Sequence, residues 1–415
     1  MLWAYKNLLH RILSGAVRSG RFTVIWPDGG ATSYGNGEGL CATVEIRDAK
    51  TLRRLVMNPE LAVGEAYMDE GLVPLNCTIH DVLSLLINNV AHCWNSVPVL
   101  RWNGLLQRAL QPFRGRNNAA RSRRNVAHHY DLNGRLYSLF LDRDRQYSCA
   151  YFPRGDETLE EAQAAKKRHI AAKLLLDRPD LEVLDIGCGW GGMALTLARD
   201  YGAKVTGITL SEEQLAEARA RAVAEGLQDR VRFELMDYRA MDQKFDRIVS
   251  VGMFEHVGTE NYPAFFEAVK NCLKPGGVAL LHSIGRFDGA SMTNCWIAKY
   301  IFPGGYSPAL SEVVGPVDKS GLVTTDIEIL RLHYAKTLAH WRRRFAANRD
   351  AIAALYDERF CRMFEFYLSG SELAFRMDDH MNFQIQLARA NDTVPLARDY
   401  MFESERRIAF ARAAD

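Results

Sequence analysis

Four glycines follow a short apolar run in the segment LEVLDIGCGWGG, residues 181–192. A strand that runs into a glycine-rich turn and then a helix lets backbone amides approach a ligand at the carboxyl end of that strand. Asp185 lies near the end of this strand pattern, where its carboxylate suits a cationic amino group better than a pyrophosphate. The segment therefore favours S-adenosylmethionine (SAM) over NAD.

The next two strand patterns also end in polar residues. KVTGITLS ends in Thr209, Leu210 and Ser211, with Gln214 one turn into the following helix, although Ser211 is equally well explained as a helix cap. ELMDYR closes the third strand pattern, so that Asp237 and Tyr238 are positioned to touch a purine ring. A structural salt bridge is the competing explanation for Asp237.

Side chains that could move protons lie at the ends of the fourth and fifth strand patterns. VSVGMFEHVG contains Glu255 and His256, and LLHSIG contains His282. A lone histidine is more often structural than catalytic. Two histidines and a glutamate at the same ends of adjacent strands favour an active site.

Alternating helices and strands must position these residues. From about residue 160 the pattern predicts helices at 157–176, 190–200, 211–225 and 260–272, and strands at 181–186, 204–208, 231–236, 245–251 and 277–284. Such alternation indicates an α/β fold with a mostly parallel sheet and helices on both faces. Beyond residue 285 the sequence turns helical and aromatic, with one late strand candidate at 404–411.

The first 111 residues predict a separate small α+β domain. Residues 21–46 alternate in strand fashion around a turn, and two amphipathic helical patterns follow. The arginine-rich segment 112–124 lacks apolar periodicity and is the predicted linker. Residues 125–415 then form the catalytic domain.

Composition narrows the class of protein. The 415 residues are 48% hydrophobic and carry a net charge of +2, as an ordinary globular protein does. Seven arginines and no acid lie between residues 101 and 127, which indicates a solvated linker or contact with an anionic surface, lipid headgroups before nucleic acid. The eight cysteines show neither a CxxC pair nor metal-ligand spacing, so no disulfide framework and no metal site is indicated and a cytoplasmic location is expected. No stretch is apolar enough to span a bilayer, so any membrane contact would be peripheral.

Several blocks of the sequence, in their order and spacing, resemble the cyclopropane-fatty-acyl-phospholipid synthase family. These are HHYDL, YSCAYF, DIGCGWGG, GITLSEEQ, MFEHVG, LKPGG with LHSIG, KYIFPGG and HYAKTLAHW, over about residues 128–390. The resemblance implies a class I SAM-dependent methyltransferase, a Rossmann-like fold, with helical insertions for an acyl chain. In that family a cis double bond attacks the SAM methyl group, and the carbocation loses a proton and closes to a cyclopropane ring.

The resemblance also implies the residues of the site. A bicarbonate ion would act as the base, held by Cys149, Glu255, His282, Ile284 and Tyr334. Further SAM contacts would come from Tyr147, Ser148, Gly187, Gly189, Thr209, Gln214, Asp237 and Tyr238. Tyr130 and Tyr137 either line the acyl wall or belong to the core.

The N-terminal unit resembles the small domain appended to phospholipid-acting members. It implies a homodimer that meets the inner face of the membrane, and with the arginine run it points to phospholipid acyl chains as substrate. Three alternatives stay open: a related enzyme that leaves a methyl or methylene branch or acts on a modified acyl chain, an ordinary small-molecule N- or O-methyltransferase, and a lipid-binding protein without turnover. The intact set of bicarbonate residues argues against the last.

Overall fold

The computed structural model describes residues 2–90 and 134–414. The chain divides into two compact units, residues 1–114, 292–303 and 338–379 in the first, and 115–291, 304–337 and 380–415 in the second. The predicted linker at 112–124 lies outside the described residues, so the domain boundaries stay a prediction. Within the described ranges no helix is both long and apolar enough to cross a membrane.

The elements alternate as follows along the described chain. The helices are α1 (Leu2–Ala16), α2 (Ala49–Met57), α3 (Pro59–Met68), α4 (Ile79–Val90), α5 (Gly134–Phe140), α6 (Leu159–Lys173), α7 (Gly192–Tyr201), α8 (Glu212–Ala224), α9 (Tyr262–Cys272), α10 (Cys295–Tyr300), α11 (Leu310–Ser320), α12 (His333–Ala347), α13 (Arg349–Leu355), α14 (Glu358–Met377) and α15 (Asp399–Ala414). The strands are β1 (Arg21–Ile25), β2 (Ala31–Tyr34), β3 (Cys41–Ile46), β4 (Leu72–Leu75), β5 (Glu182–Ile186), β6 (Lys204–Thr209), β7 (Val231–Leu235), β8 (Phe245–Val251), β9 (Leu273–Arg286), β10 (Val323–Leu330) and β11 (His380–Ala388).

The first unit has a four-stranded sheet of order β2-β1-β3-β4. Alternate residues of β1 and β3 are buried, as strands with one covered face require. Phe22, Val24 and Val44 from these strands share a core with Leu52 of α2 and Leu373 of α14. The strands expected in residues 21–46 are therefore confirmed, whereas the contribution of α14 to this core was not predicted.

Close packing and hydrogen bonds hold α10 against α3 in the first unit. Gly64 lies against Trp296, and a Cβ at this glycine would collide with the indole ring. The buried Glu65 carboxylate accepts hydrogen bonds from Lys299 Nζ and Tyr300 Oη, both at 2.7 Å. The Glu60 carboxylate accepts the backbone N–H of Cys295 at the start of α10. A helix of six residues is too short to be stable alone, so these contacts hold it.

The second unit contains a seven-stranded sheet of order β10-β11-β9-β8-β5-β6-β7. The strands from β9 to β7 in this order are mutually parallel, and β11 joins β9 and β10 by antiparallel pairing. The chain leaves β5 for β6 on one side and returns to β8 on the other, so a crevice opens at the carboxyl ends of these strands. The predicted α/β class with a mostly parallel sheet is confirmed.

Two sequence predictions about the C-terminal region are corrected. The strand expected at 404–411 is wrong, because the segment lies in α15 (Asp399–Ala414). Its alanines, arginines and glutamates favour a helix, and one isoleucine is the only β-branched residue in 404–411. Strands β10 and β11 were missed within a region interpreted as helical, although VTTDIEIL is rich in β-branched residues.

Candidate functional site

One cavity of the second unit collects all nine residues predicted to bind SAM. It opens at the carboxyl ends of β5, β6, β7 and β8, and its volume is about 1200 Å³ when the space open to solvent is included. The predicted residues in its lining are Tyr147, Ser148, Asp185, Gly187, Gly189, Thr209, Gln214, Asp237 and Tyr238. Their roles in binding remain predictions, but their convergence on one crevice follows from the parallel sheet.

The turn after β5 forms the floor of this cavity. Gly187, Gly189 and Gly191 all have positive φ, which a residue with a side chain rarely adopts. A Cβ at Gly187 would lie 2.7 Å from Met253 Cβ, whereas the space beside Gly189 is open. The turn therefore exposes backbone groups to a ligand at Gly189.

Asp185 presents a buried acceptor at the same place. Its Oδ2 has no hydrogen-bond partner among the described residues. Burial raises the pKa of Asp185 to about 7, and the Lys166 ammonium opposes this rise. A cationic amino group from a ligand would both pair with the orphaned oxygen and favour the ionised carboxylate.

At the end of β6 the structure shows the helix cap that the sequence offered as one explanation of Ser211. Ser211 caps α8, since its Oγ accepts the Gln214 N–H at 3.3 Å. The Thr209 hydroxyl also donates to Gln214 Oε1 at 2.9 Å, which orients the amide in the cavity wall.

At the end of β7 the structural salt bridge is present. Asp237 accepts hydrogen bonds from the Arg239 guanidinium at 2.8 and 2.6 Å and from its backbone N–H. Tyr238 packs edge-on against Phe265, with Arg239 over its other side. Asp237 and Tyr238 therefore form part of this wall. A contact of Asp237 with a purine must coexist with its ion pair to Arg239.

An aromatic cluster fixes the other wall. Tyr147 packs edge-on against Tyr137 and Phe140 of α5, with ring centroids 5.4 and 6.1 Å apart. The ring centroids of Tyr137 and Trp190 are 4.9 Å apart, and Tyr137 is fully buried. Tyr137 therefore belongs to the core. Tyr130 lies outside the described residues.

Cys149 lies on a buried loop tied to the start of α12. The Ala150 N–H donates to Thr337 Oγ1 at 3.0 Å, and the Phe152 N–H donates to His333 Nδ1 at 2.9 Å. Tyr334 follows His333 directly and is buried. Burial raises the pKa of the Cys149 thiol far above its usual value, so the group is a neutral S–H donor.

Glu255 is joined to Ile284 by a direct hydrogen bond. Its Oε1 accepts the Ile284 backbone N–H at 2.7 Å, and its Oε2 is buried without a partner among the described residues. Burial raises the pKa of Glu255, and the bond from Ile284 opposes this rise. The Ile284 N–H, which was expected to face a bound anion, therefore donates to the Glu255 carboxylate instead.

His282 lies between two amide side chains of β11 that sequence reasoning missed. Gln384 Nε2 is 3.0 Å from His282 Nδ1, and Asn382 Nδ2 is 3.4 Å from Nε2. Burial lowers the pKa of His282 to about 3, so the ring is neutral and has one N–H and one lone pair. With Gln384 Nε2 as the donor in the shorter contact, Nδ1 is the acceptor and the ring proton lies on Nε2.

Lys166 of α6 is a further polar residue at the site that sequence reasoning missed. Its Nζ donates to Gln146 Oε1 at 2.6 Å and to Ser148 Oγ at 2.8 Å. Its ammonium acts electrostatically on Cys149 and His282, which lie on different elements of the second unit. His256, which the sequence named beside Glu255, lines the SAM cavity, and burial lowers its pKa to about 4.

Comparison with protein families gives two matches. The model described as mycolic acid cyclopropane synthetase matches residues 117–385, and a domain of unknown function matches residues 4–96. The first match includes every residue predicted for the site.

Individual relatives agree with the family match. A protein of Pseudomonas putida named "Probable fatty acid methyltransferase" is 44% identical over 258 residues, 60% of this chain and 65% of that protein. The cyclopropane-fatty-acyl-phospholipid synthase of Escherichia coli K12 is 39% identical over 352 residues, 84% of this chain and 88% of that protein. Among solved structures, a mycolic acid cyclopropane synthase complexed with SAH and CTAB superposes with a TM-score of 0.61 and 36% identity, over 64% of this chain and 97% of that one.

Proposed function

The chain belongs to the mycolic acid cyclopropane synthetase family of SAM-dependent methyltransferases, and from this membership we propose that it converts cis-unsaturated acyl chains of phospholipids to cyclopropane chains. The reaction adds one carbon across the double bond and releases one proton and S-adenosylhomocysteine. One observation carries the proposal. The second unit contains the cofactor cavity together with the buried neutral groups Cys149 and His282 and with Glu255 Oε2, a carboxylate oxygen without a hydrogen-bond partner among the described residues.

The cavity residues fit SAM. The unpartnered Asp185 Oδ2 suits the amino group, and the open space at Gly189 suits close approach of the cofactor. Thr209 and Gln214 offer hydroxyl and amide groups, and Tyr238 offers an aromatic face. Bound there, SAM would supply an electrophilic methyl carbon.

The second set of residues fits a small oxyanion with one hydroxyl group, for which we propose bicarbonate. Cys149 S–H, Tyr334 O–H and the Nε2–H of His282 are donors suited to its oxygens. Glu255 Oε2, an acceptor without a partner, suits its hydroxyl. Ile284 acts through Glu255, whose carboxylate it orients. When bound, bicarbonate would supply the base.

Electron flow determines what these residues must do. The π electrons of the acyl double bond form the bond to the added carbon and leave a carbocation on the acyl chain. When a proton is removed from the added methyl group, its C–H electrons close the third bond of the ring. Cys149 and His282 are buried, so the groups placed beside the base exclude water that would otherwise trap the cation.

We propose a phospholipid bilayer as the source of the acyl chain. The Escherichia coli relative is named for phospholipid acyl chains and matches 352 residues, 84% of this chain, which is more than the predicted catalytic domain alone. The arginine-rich segment adds positive charge suited to anionic headgroups. Peripheral binding at the inner face of the membrane and a homodimer are part of the same proposal.

A second outcome is favoured by the Pseudomonas putida relative, which is named as a fatty acid methyltransferase. The first half of the reaction would be the same, and the cation would end as a methyl or methylene branch. Placement of the base decides between the two products.

Mass spectrometry of acyl chains separates these outcomes. The purified protein is incubated with SAM and vesicles of cis-unsaturated anionic phospholipid, with and without bicarbonate depletion. Addition of one carbon with loss of the double bond, and a fall in rate without bicarbonate, is the expected result. A retained double bond would favour the branching reaction. SAM binding without any added carbon would point to an unusual acyl substrate or to a lipid-binding protein without turnover.

A further inference from the structure

Lys166 is a buried cation whose hydrogen-bond partners are neutral. Its side chain is fully buried, and its Nζ donates to Gln146 Oε1 and Ser148 Oγ. No carboxylate oxygen of the described residues lies within 4.0 Å of its Nζ. The adjacent Lys167, by contrast, forms an ion pair with Asp144.

A buried charge without an opposite charge beside it costs free energy. Burial lowers the pKa of Lys166 to about 8, so the ammonium form still prevails at neutral pH. The Asp142 and Asp144 carboxylates oppose this fall, but from beyond the range of an ion pair. The fully buried ammonium therefore lacks an opposite charge within ion-pair distance among the described residues.

The groups around Lys166 indicate where such a partner would lie. The ammonium opposes the burial that raises the pKa of Cys149 and of Asp185. It adds to the burial that lowers the pKa of His282. The hydrogen bond to Ser148 Oγ at 2.8 Å places the Lys166 ammonium behind the wall of the cofactor cavity, at the residue before Cys149.

We propose that Lys166 supplies the positive charge that admits a trigonal oxyanion to the region bounded by Ser148, Cys149 and His282. This inference rests on the proposed function, and the oxyanion is either bicarbonate or the carboxylate of SAM.

A purely structural role for Lys166 is separable from this one. Gln163 Nε2 donates to the backbone carbonyls of Gln146 and Ser148 at 3.2 and 3.0 Å, so the loop has a second anchor from the same helix. Removing the charge of Lys166 leaves that anchor in place. Lys166→Gln keeps a hydrogen-bond donor and tests the charge, and Lys166→Arg restores the charge with a different shape.

The experiment compares Lys166→Gln and Lys166→Arg with Lys167→Gln on the full chain. Circular dichroism and thermal unfolding first establish that each variant folds. Isothermal titration calorimetry gives the SAM dissociation constant, and turnover on unsaturated phospholipid vesicles gives the half-saturating bicarbonate concentration. Nitrate, a trigonal anion that cannot act as the base, serves as a competitor of bicarbonate.

If bicarbonate is the partner, Lys166→Gln raises the half-saturating bicarbonate concentration and the inhibitory nitrate concentration at least tenfold, with unchanged SAM affinity. If the SAM carboxylate is the partner, the dissociation constant of SAM rises at least tenfold instead. Lys166→Arg recovers part of either loss, and Lys167→Gln stays within twofold of wild type. Unchanged values of both quantities in a folded Lys166→Gln would overturn the inference. If wild-type turnover does not depend on bicarbonate, the bicarbonate part of the proposed function is refuted. The SAM dissociation constants still test whether the SAM carboxylate is the partner of Lys166.

Discussion

Glu255 Oε1 and the backbone N–H of Ile284 are joined at 2.7 Å, so the carboxylate after β8 is oriented by the adjacent strand β9. One oxygen of Glu255 is fixed by this bond, and the other points into a buried space without a partner among the described residues. The arrangement makes the carboxylate an acceptor of defined direction, which suits the hydroxyl of a bound anion better than a free surface glutamate would.

Glu255→Gln tests this orientation. The amide oxygen can keep the bond from Ile284, but an NH2 group then replaces the unpartnered acceptor. We expect turnover to fall on the order of 100-fold, within the range for loss of a group that acts in proton transfer. Calorimetric SAM affinity within twofold of wild type is the control, and full turnover in this variant would contradict the assigned role.

Cys149→Ala should reduce turnover roughly tenfold or more, because one S–H donor to the anion is lost. Cys272→Ala is the matched control, since Cys272 is also buried in the second unit but bonds to the Met241 carbonyl, away from the proposed anion site. Equal turnover in the two variants would mean that Cys149 is only a core residue.

The thiol state of Cys149 can be measured separately. Because burial raises its pKa, Cys149 should resist iodoacetamide in the native protein at pH 8, whereas the exposed Cys41 should react. Peptide mapping after a timed labelling reaction reads both sites. Early labelling of Cys149 would show that its thiol is ionised or accessible.

Gln384→Glu tests how the tautomer of His282 is set. A carboxylate opposite Nδ1 would draw the ring proton to that nitrogen and raise the pKa of His282 from its low value. We expect turnover to fall about tenfold or more, and nitrogen NMR of the histidine ring to report the exchanged proton. Gln384→Met, which removes the partner without adding charge, should lower turnover without raising the pKa.

Asp185 predicts a pH dependence with a definite sign. Its folded-state pKa of about 7 is above the ordinary value of 3.8, so the folded state holds a proton that the unfolded state has lost. Without ligand, the stability contributed by protonated Asp185 is lost as pH rises from 3.8 through 7, by at most roughly 4 kcal/mol.

Asp185→Asn should therefore raise the melting temperature of the free protein at pH 8 and weaken SAM binding at least tenfold. In the wild type, SAM affinity should rise as pH rises through 7, because the cationic amino group favours the ionised carboxylate. Calorimetry across pH 6 to 8 measures the slope, and its disappearance in Asp185→Asn is the control. A slope retained in the variant would assign it to another group.

His169 links the C-terminal helix α15 to the rest of the second unit. Its ring nitrogens lie 2.6 Å from Glu405 of α15 and from Glu328 of β10. Burial lowers its pKa, but these two carboxylates more than offset the effect and raise it above the usual value. The resulting stability is fully present below the unfolded pKa of about 6.5 and is lost as pH rises through the folded pKa.

Hydrogen exchange over residues 399–406 should accordingly be faster at high pH once intrinsic exchange rates are divided out. His169→Gln should remove this dependence and leave α15 loosely held at all pH values. Lys173, which also pairs with Glu328, is a third charged group that acts on His169, so Lys173→Met checks that the change comes from His169.

Sequence patterns predicted the parallel sheet and the cofactor cavity well because both signals are local. A strand that ends in glycine or in polar residues identifies the carboxyl edge, and parallel pairing brings those ends together without further information. The residues of β5 to β8 therefore converge as expected. The same reasoning missed β11, although HMNFQIQLA alternates between polar and apolar residues as a strand does. The pattern does not show that the polar side chains Asn382, Gln384 and Gln386 are buried as well.

Lys166 was missed for a related reason. It lies in the sequence EEAQAAKKRH, whose consecutive charges indicate a solvated helix face. Only packing shows that both lysines are buried, and that Lys167 pairs with Asp144 whereas Lys166 has no ion pair among the described residues. The identity of charged partners across 20 residues or more is a tertiary property, and no local pattern encodes it.

The core of the first unit also constrains the order in which the chain can fold during synthesis. Leu373 of α14 packs with residues that range from Leu13 to Leu85. This core therefore cannot be completed until α14 is synthesised, some 290 residues after Leu85. Until then the nascent N-terminal segment must carry an uncovered apolar surface through most of translation. A ribosome-bound chain stopped before α14 should consequently be a better substrate for chaperones and proteases than the released protein.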